Sequence, residues 1–470
     1  MKRYYYIEPK YFKDSSNTGT GDLRGICEKI NVIKKNLVDT LIIPNNLSIY
    51  KSSIIEEMIS NEIAYGSFDD FKDLINKLKA ENINLFLEFK LSDLENDLNS
   101  FLNLQKRIEI NTSNYNIQDF EIEKTESYYI SKNDYTKTEN DSLEAKIIAL
   151  KDIWNFYLEL GINGFIFVFD ANKKLLKKGK VYDSLKSLYS NIHSNLTNVE
   201  IIYKISDTNY SIFKKQKNKL FDELLIYKIS NLNKKNITKV ISNILLLDVI
   251  YNITFLNDKR IIQHFLPHQI CNDEVAKMLL TILIFNNKKH LINYGDEIGL
   301  NLFNKFKPDF ILDVFLKNYF NEENSKLVYP WTSGKNAGFS ASDSIEGVID
   351  ECFKSSNLKV QRNQSNSVLE YFKFISYKFK TKAFPKSFQS KMKVKTYNNV
   401  LEISYQSDDN KLILIANISE YIISIKEIDS DCLIYSNWNL DLKRNKLTLN
   451  PYEALIYTDS SYNRDSYLEH

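Results

Sequence analysis

Along most of the chain, short blocks of consecutive apolar residues alternate with longer runs in which apolar positions recur every three or four residues. The clearest block is Phe165–Phe169, inside Ile162–Asp170 (INGFIFVFD). It has no polar partner, which is what a strand covered on both faces requires. Blocks of the same kind occur at Tyr4–Ile7, Val38–Pro44, Ile83–Phe89, Val199–Ile205, Leu224–Ile229, Ile253–Asn257 and Lys289–Tyr294. The runs between them have helical spacing. Asp22 is placed to cap a helix carrying Leu23, Ile26, Ile30 and Ile33, and Phe68–Lys79, Leu143–Leu160, Val181–Ser194 and Glu274–Phe285 read as further helices. Strand and helix in alternation predict an α/β protein, a closed (β/α)8 TIM barrel.

Two stretches break the pattern. Leu94–Asp141 is polar and weakly periodic, and is expected to be a short inserted domain or long loop after the third strand. Beyond a helix at Ser367–Lys380, the segments VLEISYQ, KLILIANIS, CLIYSNW and EALIYT alternate as antiparallel strands do. The expected division is 1–93 with 142–385 for the barrel, 94–141 for the insert and 386–460 for a C-terminal, sandwich-like antiparallel β-domain. Residues 461–470 form a tail whose Leu-Glu-His end resembles an expression-vector scar.

Composition narrows the function classes. The 62 basic and 60 acidic residues nearly cancel, so the charge carries no footprint for nucleic acid or an anionic membrane, and neither is an expected partner. No apolar run approaches the roughly 20 residues of a membrane span, and the basic N-terminus lacks the apolar core of a signal peptide. Cys27, Cys271, Cys352 and Cys432 lie far apart without metal-ligand spacing and suit a reducing cytoplasm. With five histidines, one of them His470, a His-rich metal or triad site is not expected. Parallel strands present their chemistry at their C-terminal ends, which singles out Asp170. A helix cap or loop turn before Asn172 is the bland alternative for that residue.

Several motifs, in order and spacing, resemble glycoside hydrolase family 13, the α-amylase family, and its oligo-1,6-glucosidase-like branch. They are Tyr6-Ile7-Glu8-Pro9-Lys10-Tyr11-Phe12, Gly19-Thr20-Gly21-Asp22-Leu23-Arg24-Gly25-Ile26, Gly66-Ser67-Phe68-Asp69-Asp70-Phe71, Gly161-Ile162-Asn163-Gly164-Phe165, Tyr294-Gly295-Asp296-Glu297-Ile298-Gly299, Pro330-Trp331 with Asn336-Ala337-Gly338-Phe339-Ser340, and Asn450-Pro451-Tyr452-Glu453-Ala454. The resemblance implies a barrel interrupted after its third strand, acting on α-glucosidic bonds with retention. Such chemistry needs two carboxyl groups about 5–5.5 Å apart.

The resemblance places the nucleophile at Val168, behind Ile166 where an arginine belongs, and the general acid at Lys204. Neither residue can perform its role. The histidine-bearing motifs after the third and seventh strands become Glu88-Ser92-Asp93 and Asn257-Asp258-Lys259-Arg260, without a histidine. Two readings follow. One is a member that has lost glycosidase turnover, with no catalytic residue expected, and that serves as a binding or interaction module. Its pocket would be lined by Val168, Lys204 and Trp331, the last with bracing of the barrel as its alternative role, and its partner would be an α-glucoside, an oligosaccharide or another protein. The other is a divergent retaining α-glucosidase with relocated carboxylates among Asp170, Asp258 and Glu88. Alternation puts Asp170 on the same face as residue 168, about 6–7 Å further along. The loop Asp14–Asp22 resembles the family's calcium loop; Asp14 and Asp22 remain, but Ser16 and Thr18 replace its middle ligands. It is read as the remnant of a weak Ca2+ site or as a glycine-rich turn. No other cofactor is implied.

Overall fold

Eight parallel strands form one sheet: β1 (Arg3–Tyr6), β2 (Thr40–Pro44), β3 (Asn84–Lys90), β4 (Gly164–Val168), β5 (Glu200–Ser206), β6 (Glu223–Lys228), β7 (Tyr251–Asn252) and β8 (His290–Asn293). Their order is β6-β5-β4-β3-β2-β1-β8-β7. The two ends meet, because the Ile250 N–H donates to the Leu224 carbonyl at 2.7 Å and Leu225 bridges Ile250 in parallel. The sheet is thereby closed into a TIM barrel.

The computed structural model describes residues 2–45, 65–90, 151, 154–155, 157–168, 180–195, 199–228, 237–252, 272–286, 288–300, 327–381, 392–406, 411–429, 432–438 and 446–458. The expected insert, 94–141, and the seventh-strand block Ile253–Asn257 lie outside the described residues. The strand that is described there, β7, starts earlier, since Val249-Ile250-Tyr251 is also apolar and buried.

The strands are uninterruptedly apolar because both faces are covered. One side chain per strand (Tyr4, Ile42, Phe86, Ile166, Ile202, Leu225, Ile250 and Leu291) fills the barrel's middle layer. Their neighbours, among them Tyr5, Leu41, Leu87, Phe89, Phe165, Phe167, Tyr203 and Leu224, face outward into the core shared with the helices. Gly164 is dictated by this filling. A Cβ there would stand 2.5 Å from the Phe86 ring and 2.4 Å from the Glu200 carbonyl oxygen.

The longer helices are α1 (Leu23–Lys35), α2 (Phe68–Ala80), α3 (Lys180–Asn195), α4 (Ile237–Leu245), α5 (Asn272–Phe285) and α6 (Val368–Thr381). Asp22 caps α1 by accepting from the Gly25 N–H at 2.6 Å, and Ser67 with Asp70 forms a capping box on α2. Helix α5 is apolar almost all round, as a helix buried on every side must be. Its second cover is the C-terminal domain, where the Asn437 amide donates to the Glu274 carbonyl at 3.1 Å. That domain holds β9 (Lys393–Tyr397), β10 (Val400–Gln406), β11 (Lys411–Asn417), β12 (Ile423–Ile428), β13 (Leu433–Ser436), β14 (Lys446–Leu449) and β15 (Ala454–Thr458). They make an antiparallel sheet β13-β15-β11-β10-β9 and a β12-β14 pair. Among the described residues no helix is long and apolar enough to cross a membrane.

Candidate functional site

Side chains alternate along a strand, so residues two beyond the middle layer again point inward, now at the C-terminal mouth. Those positions hold Tyr6, Pro44, Glu88, Val168, Lys204 and Asn293. The register sets Val168 of β4 directly beside Lys204 of β5. These are the two positions to which the motif resemblance assigns the carboxyl groups of retaining glycosidase chemistry, and they carry an isopropyl group and an ammonium.

The ammonium has a partner. Lys204 Nζ donates to Glu88 Oε2 at 2.7 Å, with the Glu88 side chain 4% and the Lys204 side chain 18% exposed. Lys204 also lies 5.4 Å from the centre of the Tyr6 ring, a cation–π contact. The Tyr6 hydroxyl donates to Glu8 Oε2 at 3.4 Å, and Tyr65 reaches Glu8 Oε1 at 2.9 Å. Burial first, then Glu88 and Glu8, hold the Tyr6 phenol well above its ordinary pKa, so it remains a protonated donor. On the far side, the buried Asn293 Nδ2 has no hydrogen-bond partner. Such an orphan donor is uncommon and suits a ligand acceptor.

The mouth therefore offers an ion pair, a phenol and an amide beside a small apolar wall. That set can orient hydroxyl groups, but a carboxylate neutralised by an ammonium at 2.7 Å is a blunted nucleophile. Glu88, Val168 and Lys204, singled out in the sequence, come together here; Asp170 and Asp258 lie outside the described residues. Trp331, for which the sequence allowed either pocket lining or a bracing role, packs in the aromatic cluster after β1. Its indole N–H donates to the Phe12 carbonyl at 2.8 Å, and its ring is wedged by Phe12 and Tyr329 and covered by Lys29 of α1. Tyr6, Glu8, Tyr65 and Asn293 were not foreseen. Tyr6 and Asn293 were within reach of the alternation rule, counting two residues on from Tyr4 and Leu291.

Two further acids are strongly perturbed yet structural. Burial pushes the Asp296 carboxyl up to about 8, although the Asn293 N–H donates to it at 2.8 Å. Burial also raises Glu297, which accepts from the Tyr5 and Tyr329 hydroxyls at 2.7 and 2.9 Å and from the Gly295 N–H at 2.9 Å. These bonds lock the turn after β8 against the outer wall.

The loop carrying Asp14 and Asp22 fits a calcium ion poorly, because protein donors already occupy three of its four carboxylate oxygens. Gly19 N–H (2.8 Å) and the Ser340 hydroxyl (2.6 Å) donate to Asp14 Oδ2. Asp22 accepts from the N–H groups of Ser15 and Ser16 at 3.0 Å each and from their hydroxyls at 2.8 Å each. Among the described residues no group of three His, Cys, Asp or Glu is arranged to hold a metal ion.

The model of the α-amylase catalytic domain matches residues 6–195 and 166–384, most of the chain. The protein belongs to the α-amylase family. Similar proteins of the family include trehalose-6-phosphate hydrolase of Escherichia coli (31% identical over 87 residues, 18% of this chain and 16% of that one). Oligo-1,6-glucosidase of Bacillus cereus is 29% identical over 108 residues, 22% of this chain and 19% of that one. The amino acid transporter heavy chain SLC3A1 of Mus musculus is 34% identical over 91 residues, 18% and 13% of the two chains. The matches thus span less than a fifth of these curated relatives. Solved structures are covered almost throughout. Bacillus licheniformis trehalose-6-phosphate hydrolase (TM-score 0.65, 17% identity) covers 97% of this chain and 98% of its own, and isomaltulose synthase SmuA of Protaminobacter rubrum (0.66, 16%) covers the same shares. At that identity the likeness establishes the fold, not the reaction.

Proposed function

We propose that the protein is a non-hydrolysing member of the α-amylase family that binds an α-glucoside or short oligosaccharide at the barrel mouth. One observation carries this reading: Val168 and Lys204 stand side by side on β4 and β5, and Lys204 neutralises Glu88. The unpaired Asn293 amide and the protonated Tyr6 supply donors for sugar hydroxyls. The likeness to a transporter heavy chain as well as to hydrolases means that membership does not by itself imply turnover. A cytoplasmic setting belongs to the same reading, in keeping with the free thiol of Cys27. An interaction with a protein partner would be a further use of the same scaffold.

The test combines an assay of p-nitrophenyl α-glucoside hydrolysis with calorimetric titration of maltose, isomaltose and trehalose. Saturable binding of at least one sugar without release of p-nitrophenol is expected. A second reading, a divergent retaining α-glucosidase, draws on one observation: two carboxylates, Glu88 and Glu8, both act on Tyr6. Turnover that disappears in Glu88→Gln would establish that reading and remove the first.

A further inference from the structure

We infer that the Asp14–Asp22 loop is held shut by hydroxyl and amide donors in the place where a metal would otherwise cross-link it, so that folding of this chain is independent of calcium. Calcium takes six to eight oxygen ligands at 2.3–2.6 Å whose lone pairs face the ion. Here three of the four carboxylate oxygens already accept from protein donors at 3.0 Å or less. Asp14 is fully buried, and its Oδ2 accepts from a backbone amide and from Ser340, 326 positions away in sequence. Asp22 accepts from three backbone N–H groups, those of Ser15, Ser16 and Gly25, at 3.0, 3.0 and 2.6 Å. A hydroxyl can rotate to offer its oxygen to a cation, but a backbone N–H cannot. Ser16 has one proton, and Asp22 Oδ2 at 2.8 Å is nearer than Asp14 Oδ1 at 3.3 Å. The Ser16 hydroxyl thus donates to Asp22, and Asp14 Oδ1 is left with the Thr18 N–H at 3.4 Å.

The second chain segment of this clip is 339–346. Asp14 N–H and Lys13 Nζ donate to the Phe339 carbonyl at 3.1 and 2.8 Å. Ala341 N–H donates to Asn17 Oδ1 at 3.1 Å, and Glu346 N–H to the Gly19 carbonyl at 3.1 Å. The two segments approach so closely at Gly19, where φ is +92°, that a Cβ would stand 2.3 Å from the Ser344 carbonyl oxygen. Five cross-segment hydrogen bonds, counting Ser340 to Asp14, do the tethering that an ion would do.

The full chain is melted in EGTA and in millimolar calcium chloride, and titrated with calcium chloride by calorimetry. The midpoints are expected to agree within about 2 °C, and the titration to show heat of dilution alone. A bound ion at a hundredfold excess over its Kd stabilises the fold measurably. A calcium-dependent rise beyond that margin, or a saturable one-to-one heat, would overturn the inference. Ser340→Ala is expected to lower the midpoint by about the same few degrees in both buffers. Recovery of that loss by calcium would also overturn it; should this variant not fold, the two measurements on the unaltered chain still decide.

Discussion

The two ends of the barrel interior carry charge in different ways. At the N-terminal end, Lys289 donates to Glu200 and Glu223 at 3.0 and 2.7 Å, Lys2 donates to Glu200, and Tyr4 donates to Glu200 at 2.8 Å. Lys217 extends the chain of pairs to Glu223 and Asp248 at 3.1 and 3.0 Å. At the mouth there is one described pair, Glu88–Lys204, and, on β8, the Asn293 Nδ2 without a partner. The first arrangement is a plug in which Glu200 and Glu223 each answer to two lysines. The second leaves polar groups underused, as a site awaiting a ligand does. The difference teaches which end is architecture and which is recognition.

Glu200→Ala is the largest expected break. It strands Lys2 at the base of the barrel, leaves Lys289 with Glu223 alone and removes the acceptor of Tyr4. Breaking a fully buried pair costs about 3–5 kcal/mol; with these lysines partly solvated, about 2 kcal/mol is expected from urea unfolding. Glu88→Gln should cost less than half of that, because Lys204 can still donate to the amide oxygen and turn toward the mouth. Equal losses at the two sites would erase the distinction between plug and mouth.

Acidity sharpens the same contrast. Burial pushes Glu200 up, but Lys2, Lys289 and Tyr4 outweigh it, so its pKa falls below the ordinary value. The stability it contributes is lost as pH falls through that lowered pKa. Asp296 pairs with no cation among the described residues, and burial holds it at about 8. Its folded form keeps a proton that the unfolded chain has released above about 4, so its contribution declines as pH rises from about 4 through about 8. Asp296→Asn should remove up to about 1.4 kcal/mol per pH unit of that slope between pH 5 and 8, read from urea midpoints. An unchanged slope would mean that Asp296 is ionised in the fold.

The barrel was legible because its signal is collective. Each apolar block need only be buried on both faces, and Phe165–Phe169 announces that regardless of what surrounds it. The site was less legible, because a mouth is assembled from residues far apart in sequence. Val168 and Lys204 could be named from motif spacing, but that Lys204 spends its charge on Glu88, 116 positions away, depends on strand register. Trp331 was open both ways. A tryptophan in a Pro-Trp-Thr-Ser-Gly loop reads as a sugar platform or as a brace for the barrel, and its N–H is fixed by Phe12 across a loop the sequence does not connect to it. Asp14 and Asp22 kept the identity of metal ligands while changing their partners, and identity was all the sequence displayed.

The smallest expected effect is on stability, and its sign is what matters. Asn293→Ala deletes a side chain whose buried amide nitrogen has no acceptor. Removing an unsatisfied buried donor relieves its desolvation penalty, so the variant should unfold within about 0.5 kcal/mol of the parent, or above it. The same change should weaken sugar binding about tenfold, since a hydrogen bond to a ligand hydroxyl is worth about 1–1.5 kcal/mol. At the plug the ordering is reversed: Glu200→Ala should unfold easily while the folded fraction binds sugar as the parent does. If Asn293→Ala destabilised the fold and left binding untouched, the orphan amide would be an architectural group like those at the base. The mouth would then have no claim to be the part of the barrel kept open for a ligand.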